Sequence, residues 1–209
     1  MPTKAPHISK ISVSGFKSIN QEMSLDLVPL TILAGANSSG KSSIMQPLLL
    51  IKQTLEANGD PGALLLDGPH VRFTSTDQVL FNGGKSDKSP FFKVRLEKAD
   101  GPILELQFEK KKEMGFDVGS MKWNDGTKQY SINSNATHKQ IEAVLPEFLK
   151  DMHQRRAKRL KKENVNWIVY RDRCFLGFAL TEINNDMLSQ LDIPLSYGTP
   201  APAFSFLKI

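Results

Sequence analysis

One short stretch constrains this chain more than any other. Residues 35–42 read Gly-Ala-Asn-Ser-Ser-Gly-Lys-Ser and match the phosphate-binding pattern GxxxxGK[ST] in full. By average residue usage, a chance match somewhere in a chain of 209 residues has a probability of about 1%. The apolar residues 30–34 precede the motif and a helix-period pattern follows it. Because strand, glycine-rich loop and helix form the context of this motif, we predict a phosphate-binding loop here.

The residue types of the motif suit a pyrophosphate. Gly35 and Gly40 permit backbone geometry that a Cβ would obstruct, so that N–H groups can point inward. A helix that begins near Lys41 directs its free N–H groups and positive dipole end at the phosphates. We expect Lys41 to reach the β and γ phosphates and the Ser42 hydroxyl to ligate Mg²⁺. The predicted nucleotide-binding residues are Gly35, Ala36, Asn37, Ser38, Ser39, Gly40, Lys41, Ser42 and Ser43. The alternative is a Ser/Gly-rich loop that caps an ordinary helix.

Bulk composition excludes several classes of protein. With 40% hydrophobic and 23% charged residues, the chain is typical of a soluble globular protein. The absence of a signal-like N-terminus and of an apolar run of ~20 residues predicts a cytoplasmic protein without a membrane partner. The single cysteine, Cys174, excludes an internal disulfide framework and a cysteine-rich zinc site. The four histidines lack ligand spacing, so no metal beyond nucleotide-bound Mg²⁺ is expected.

Positive charge is concentrated in one segment. The whole chain carries a net charge of +5, whereas residues 150–173 alone hold nine basic and three acidic residues. Such a segment can follow nucleic-acid phosphates. The alternatives are a solvated helix face or a boundary where a coiled coil or linker begins. The candidate nucleic-acid contacts are Arg155, Arg156, Lys158, Arg159, Lys161 and Lys162.

Hydrophobic periodicity predicts the elements around the loop. Alternating residues at 11–15 and 23–27 predict an N-terminal β-hairpin. The apolar run at 30–34 does not alternate, which predicts a strand that is buried on both faces and feeds the loop. After the loop, Ile44, Leu48, Ile51 and Leu55 share one helix face. Pro47 lies well inside this helix and is expected to bend it.

Further antiparallel sheet is predicted downstream. Residues 63–84 are strand-like with turns, and residues 92–96 and 104–108 alternate around Asp100-Gly101 as a hairpin. This sheet is predicted to extend through residues 116–123 and 129–132. A capping box formed by Thr137 and Gln140 predicts the start of a helix. Two further strands are predicted at 167–170 and 175–180. We predict an ATPase-type lobe at 1–135, a basic helical segment with returning strands at 136–193, and a Pro-rich tail or linker at 194–209.

A family resemblance extends these expectations. The asparagine at position 37, the hairpin before the loop and the stretch Gly15-Phe16-Lys17-Ser18-Ile19 resemble the first nucleotide-binding lobe of the SMC, RecF and OLD class of ABC-type ATPases. Within that class, residues 8–82 are similar to bacterial "AAA family ATPase" proteins, several of which serve in phage defence beside a nuclease. The resemblance implies an α/β P-loop NTPase lobe with an N-terminal β-hairpin, a Walker A strand-loop-helix and an antiparallel β-subdomain, followed by a basic helix and further strands.

The resemblance also implies cofactors, partners and residue roles. It implies ATP with Mg²⁺, held between this chain and a second ATPase protomer in a homodimer or higher assembly, in a DNA-linked process such as repair or antiviral defence. By the same resemblance, Lys17 approaches the nucleotide phosphates. Gln78 is the candidate catalytic glutamine that touches Mg²⁺ and the attacking water, with Asp77 as its rival. The alternatives are a solvated hairpin lysine and an ordinary turn residue.

Two motifs of the class are not found in the sequence. No LSGGQ-like signature occurs, and no apolar strand ends in Asp-Glu: Asp67 is followed by Gly68, and Arg171 interrupts residues 167–172. Hence no general base is assigned. We expect the chain to be the front half of an ATPase whose remainder lies on a C-terminal segment or a partner chain.

Two other classes of function stay open at this point. One is a self-contained P-loop kinase or GTPase, although antiparallel hairpins fit this reading poorly. The other is a non-catalytic nucleotide-sensing or nucleic-acid-binding module in which the loop is only structural.

Overall fold

The fold is mixed α/β with mainly antiparallel sheet. The computed structural model describes residues 8–191 except 38, 85–86, 100, 113, 125, 127–128, 146–149, 152–154, 156–164 and 185–186. The elements are β1 Ile8–Ser14, β2 Met23–Asp26, α1 Lys41–Glu56, a 3₁₀ turn Thr76–Gln78, β3 Phe91–Lys98, β4 Ile103–Lys110, β5 Phe116–Asn124, β6 Gln129–Asn133, α2 His138–Val144, β7 Val165–Asp172, β8 Phe175–Asn184 and β9 Met187–Leu191. In this described part, no helix is long and apolar enough to cross a membrane.

The described strands form two antiparallel sheets. Six strands lie in the order β2-β1-β3-β4-β5-β6, and the remaining three lie in the order β7-β8-β9. The predicted N-terminal hairpin and the β3–β4 hairpin are confirmed, with Ile11 opposite Leu25 and Val94 opposite Leu106. Burial alternates along β3 and β4, so one face of the sheet is in the core and the other faces solvent.

Aromatic rings fill the centre of the core. Phe92 lies between three other rings, with centroid distances of 5.3 Å to Phe16, 5.1 Å to Phe108 and 5.4 Å to Phe116. Fully burying one such side chain contributes about 1.5–3 kcal/mol. Trp167, from β7, belongs to the same buried cluster, so the smaller sheet packs onto the larger one.

Helix α1 and the irregular chain that follows it are joined by buried hydrogen bonds. Residues 63–84 form turns, isolated bridges and the 3₁₀ turn instead of the predicted strand-like segments. Gln53, which is only 1% exposed, holds part of this region by donating to the carbonyls of Leu65 and Val71. Its Oε1 accepts from the N–H groups of His70 and Val71. Pro47 is buried, and α1 continues through it from Lys41 to Glu56.

The predicted strand at residues 30–34 is wrong. These residues are not part of a strand, and Leu30 and Ile32 are 77% and 79% exposed. The physical reason lies in the sheet order. Strand β2, just before this stretch, is an edge strand, and no described strand pairs with residues 30–34. An apolar segment without neighbouring strands has nothing to be buried against.

The β7–β8 hairpin is attached to the end of α1. Arg171 donates to both carboxylate oxygens of Asp60, at 3.1 and 2.9 Å, and Arg173 donates to the Leu55 carbonyl near the end of α1. The hydrogen bond from Arg171 is the main reason that the pKa of Asp60 is lowered. A cation beside the last carbonyls of a helix is also favoured by the helix dipole.

Most of the predicted basic segment lies outside the described residues. Arg155 is described and exposed, whereas Arg156, Lys158, Arg159, Lys161 and Lys162 are not described. The predicted tail at 194–209 lies outside as well. The domain division given by the sequence therefore stays a prediction.

Candidate phosphate-binding site

The predicted loop joins the exposed residues 30–34 to α1. Gly35 has φ 152° and Gly40 has φ 89°, and the latter is a left-handed conformation that disfavours a Cβ. A Cβ at Gly40 would also stand 3.3 Å from Ser18 Oγ. Gly40 is the N-cap of α1, and its carbonyl accepts the N–H of Ile44 at 3.2 Å. The three preceding N–H groups, of residues 41–43, have no partner within the helix ladder.

Lys41 folds back over the loop that precedes it. Its Nζ donates to the carbonyls of Gly35 at 2.8 Å and Ala36 at 2.6 Å. An ammonium group has three donors, so these two bonds leave one N–H for a further acceptor. The bonds hold the positive charge at the mouth of the loop, next to the free N–H groups of α1.

The turn between β1 and β2 brings Lys17 to the same place. Gly15 has φ 72°, and a Cβ there would overlap the Phe91 carbonyl oxygen, so the turn requires glycine. Lys17 has φ 50°, and its Nζ donates to Gln46 Oε1 at 3.1 Å and lies 5.2 Å from the centre of the Phe73 ring. These contacts fix the ammonium beside the first turns of α1.

Loop, turn and helix enclose one open pocket of about 410 Å³. Its described lining residues are Lys17, Ser18, Asn37, Ser39, Gly40, Lys41, Ser42 and Ser43. This lining has two ammonium groups and several hydroxyls, and none of its described members is a carboxylate. The pocket is therefore electropositive, as an anionic ligand such as a polyphosphate requires.

The described residues of the pocket could ligate Mg²⁺ only if phosphate oxygens of a bound nucleotide supplied further ligands. Ser42 is exposed in the first turn of α1 and lines the pocket. No group of three or more His, Cys, Asp or Glu side chains that could hold a metal occurs in the described chain. The Ser42 hydroxyl would thus share the ion with a bound nucleotide, which is how Mg²⁺ is usually held at such sites.

The structure does not bring Gln78 or Asp77 into this pocket. Gln78 Oε1 accepts the N–H of Thr74 at 2.9 Å, and neither residue lines the pocket. Asp77 pairs with Lys110 Nζ at 2.8 Å, and this hydrogen bond is the main cause of its lowered pKa. The backbone after the 3₁₀ turn nevertheless contacts the Lys17 turn, since Lys17 N–H donates to Val79 O at 2.9 Å.

Sequence reasoning missed three residues of the site. Ser18 lies 3.4 Å, Oγ to Oγ, from Ser43 and so joins the β1–β2 turn to the first turn of α1. Gln46, the partner of Lys17, is four residues after Ser42, and this helical spacing was a usable signal. Phe73 had no such signal, because its position beneath Lys17 depends on the irregular chain held by Gln53.

The sequence model of a family described as "AAA ATPase domain" matches residues 7–170 of the chain. The match includes the Lys17 turn, the loop, α1 and the six-stranded sheet. No curated protein and no solved structure matches the chain.

Proposed function

Because the chain belongs to the AAA ATPase domain family, whose members bind ATP, we propose that it is the ATP-binding lobe of an SMC/RecF/OLD-like ABC-type ATPase. The single observation that carries this proposal is the convergence of Lys17 and Lys41 on the pocket at the N-terminus of α1. In the complete assembly, ATP and water would give ADP and phosphate. The process served would be DNA-linked, either repair or antiviral defence.

Each group of the pocket has a defined task in binding. The N–H groups of residues 41–43 would donate to the phosphate oxygens, and Lys41 would add its third donor. Lys17, held by Gln46 and Phe73, would bring a second positive charge without first having to be ordered. Ser42 would hold Mg²⁺, which supplies charge neutralisation at the β and γ phosphates.

The exposed segment supports the proposal that a further lobe completes the site. Val28, Leu30 and Ile32 are 61%, 77% and 79% exposed directly before the loop. Residues 30–34 pair with no described strand, and a segment of this kind with exposed apolar side chains is a surface on which additional strands can pair. Strands from a C-terminal lobe or a partner chain would bury these residues. The same lobe would bring the acidic groups for hydrolysis, since the described pocket lining contains none.

The proposed assembly has two further kinds of partner. A second protomer would close over the nucleotide to give a homodimer or higher oligomer, so that ATP controls closure. DNA and a nuclease are the other proposed partners, in keeping with the resemblance. The basic residues at 155–162 remain the sequence-based candidates for DNA contact.

A nucleotide titration tests the central claim. A fluorescent ATP analogue with Mg²⁺ is titrated into the purified chain and into its Lys41→Ala variant. Loss of one charge-assisted hydrogen bond is worth about 1.5–3 kcal/mol, which corresponds to an affinity loss of about 10- to 150-fold. Lys52→Ala is the matched control, because Lys52 lies on the same helix, pairs with Glu56 and does not line the pocket. Undiminished affinity in Lys41→Ala would refute the assignment, whereas slow turnover by the chain alone is expected.

A further inference from the structure

A second pocket lies beside β4, away from the phosphate-binding loop. Its volume is about 440 Å³, and four of its ten described lining residues are lysines. We call it the lysine pocket; it is defined by Lys88, Lys110, Lys111 and Lys112, with Asp77 at its edge and Phe81 in its apolar wall. The loop, the Lys17 turn and α1 contribute none of the described residues that line it.

Backbone hydrogen bonds hold the three segments of the lysine pocket together. Lys110, the last residue of β4, donates its N–H to Pro90 O at 3.2 Å, and Ser89 N–H donates to Phe81 O at 3.1 Å. Lys88 forms an antiparallel bridge with Asn82. The lysines therefore project from a hydrogen-bonded framework, and little backbone ordering is needed on binding.

The positive charge of the pocket is only partly neutralised. Lys110 pairs with Asp77 at 2.8 Å and Lys111 pairs with Asp117 at 3.1 Å, both between exposed side chains. Among the described residues, Lys88 and Lys112 have no carboxylate within 4 Å, although the charge of Lys88 helps to lower the pKa of Asp77. Exposed pairs of this kind are weak, so an anion of higher charge can replace the carboxylates as the partner of the lysines.

We propose that the lysine pocket binds the phosphate backbone of a nucleic-acid strand. Lysine ammonium groups bind phosphates as point charges, and several of them along one groove follow a strand by releasing its counterions. The wall formed by Leu80, Phe81 and Pro90 offers an apolar surface to sugars or bases. An acidic protein segment would meet the same charges. We favour nucleic acid because of the DNA-linked process, so the inference rests on that part of the proposed function.

Asp77 has a defined place in this proposal. Its carboxylate accepts a hydrogen bond from Lys110 Nζ, and a phosphate would have to displace this carboxylate, so Asp77 competes with the ligand. The chain just after Asp77 also hydrogen-bonds to the turn that carries Lys17, through Val79 O and Phe81 N–H. The lysine pocket and the nucleotide pocket thus share one connecting segment.

The test measures binding of labelled oligonucleotides by fluorescence anisotropy as a function of salt. The chain and its Lys88→Gln/Lys112→Gln variant are titrated with single-stranded DNA, duplex DNA and single-stranded RNA, which identifies the form that binds. Each lost phosphate contact lowers the salt slope by about 0.7 for a single strand, so the double variant should lose about 1.4. At ~0.1 M salt this slope corresponds to a loss of about 25-fold in affinity. Asp77→Asn should raise the affinity, by up to about fivefold.

Matched variants distinguish binding at the lysine pocket from nonspecific attraction to the positive charge of the chain. Lys93→Gln/Lys139→Gln removes the same charge from described lysines that do not line the pocket and should change the affinity far less. Equal losses in both double variants would overturn the inference. So would a loss confined to Arg155→Gln/Arg156→Gln, or binding of poly-glutamate with none of nucleic acid.

ATP binding is measured in the same samples. This measurement distinguishes failure of the proposed nucleic-acid site from failure of the proposed ATP site. Lys41→Ala should lose ATP and retain the oligonucleotide. If no nucleic acid binds the chain, the inference and the DNA-linked process both fail while ATP binding stands. If Lys41→Ala retains ATP, the nucleotide assignment fails independently of the lysine pocket.

Discussion

Replacing Gln53 by methionine should weaken the attachment of residues 65–71 to α1. Gln53 is 1% exposed and makes four hydrogen bonds to the backbone of residues 65–71. Gln53→Met keeps nearly the same length and volume but removes every one of these bonds. The variant therefore isolates the polar contribution of this side chain from its packing.

The magnitude follows from the groups that lose their partner. The N–H and C=O of Val71 form buried bonds to Gln53, and an unsatisfied buried group costs about 1–3 kcal/mol. Two such groups cost about 2–6 kcal/mol, of which the apolar methionine recovers about 1–2 kcal/mol. We expect a net loss of about 1–4 kcal/mol in the free energy of unfolding. For a chain of this length, Tm should fall by roughly 2–15 °C.

Thermal unfolding followed by far-UV circular dichroism measures this effect. Lys52→Met is the matched control on the same helix, where a partly exposed side chain should change stability by less than about 0.5 kcal/mol. Gly68→Ala offers a second route to the same contact, since a Cβ there would lie 2.6 Å from Gln53 Cδ. If Gln53→Met melts within about 1 °C of the parent chain, the buried hydrogen bonds do not hold residues 65–71, and the reasoning is refuted.

Two other predictions concern the surface. Leu30→Ser/Ile32→Ser should leave Tm nearly unchanged and lower the fluorescence of bound ANS, because both side chains are exposed. A loss of more than about 2 kcal/mol in the free energy of unfolding would show instead that the two side chains are packed. Asp60→Asn should cost at most about 1 kcal/mol near neutral pH, because the exposed carboxylate pairs with Arg171. The lowered pKa of Asp60 means that this stabilisation exists above its unfolded pKa and is lost as pH falls through the folded value. The difference from the parent in urea unfolding should therefore vanish in acid, and a difference that grows on acidification would contradict the assignment.

Local patterns in the sequence predicted the elements that depend on near neighbours. The β3–β4 hairpin follows from alternation around a glycine turn, and α1 follows from apolar spacing after a glycine that adopts φ 89°. The capping box before α2 is likewise confirmed, with Thr137 N–H donating to Gln140 Oε1 at 2.8 Å. Each of these features is decided within a few residues, so a single sequence is sufficient to find it.

Contacts between distant segments could not be predicted in this way. The turn that carries Lys17 and the helix that carries Gln46 meet only through folding, and the lysine pocket joins segments that contain Asp77, Lys88 and Lys110. Helical spacing places Gln46 on the same face of α1 as Ser42, but no local pattern specifies which distant segment packs against that face. The segments of the lysine pocket are likewise brought together only by packing.

The sequence alone predicted a phosphate-binding loop at residues 35–42, because its glycines, lysine and serine have the spacing of that motif. The residues just before it show the opposite case. Their apolarity predicted a strand buried on both faces, and this prediction was wrong, because burial requires neighbouring strands and these are not among the described residues. For Lys17 the sequence offered only a family resemblance, and the tertiary structure shows that its side chain lines the same pocket as the loop. The exposure of Leu30 and Ile32 was decided by the tertiary structure alone, because burial depends on which partners are present in space.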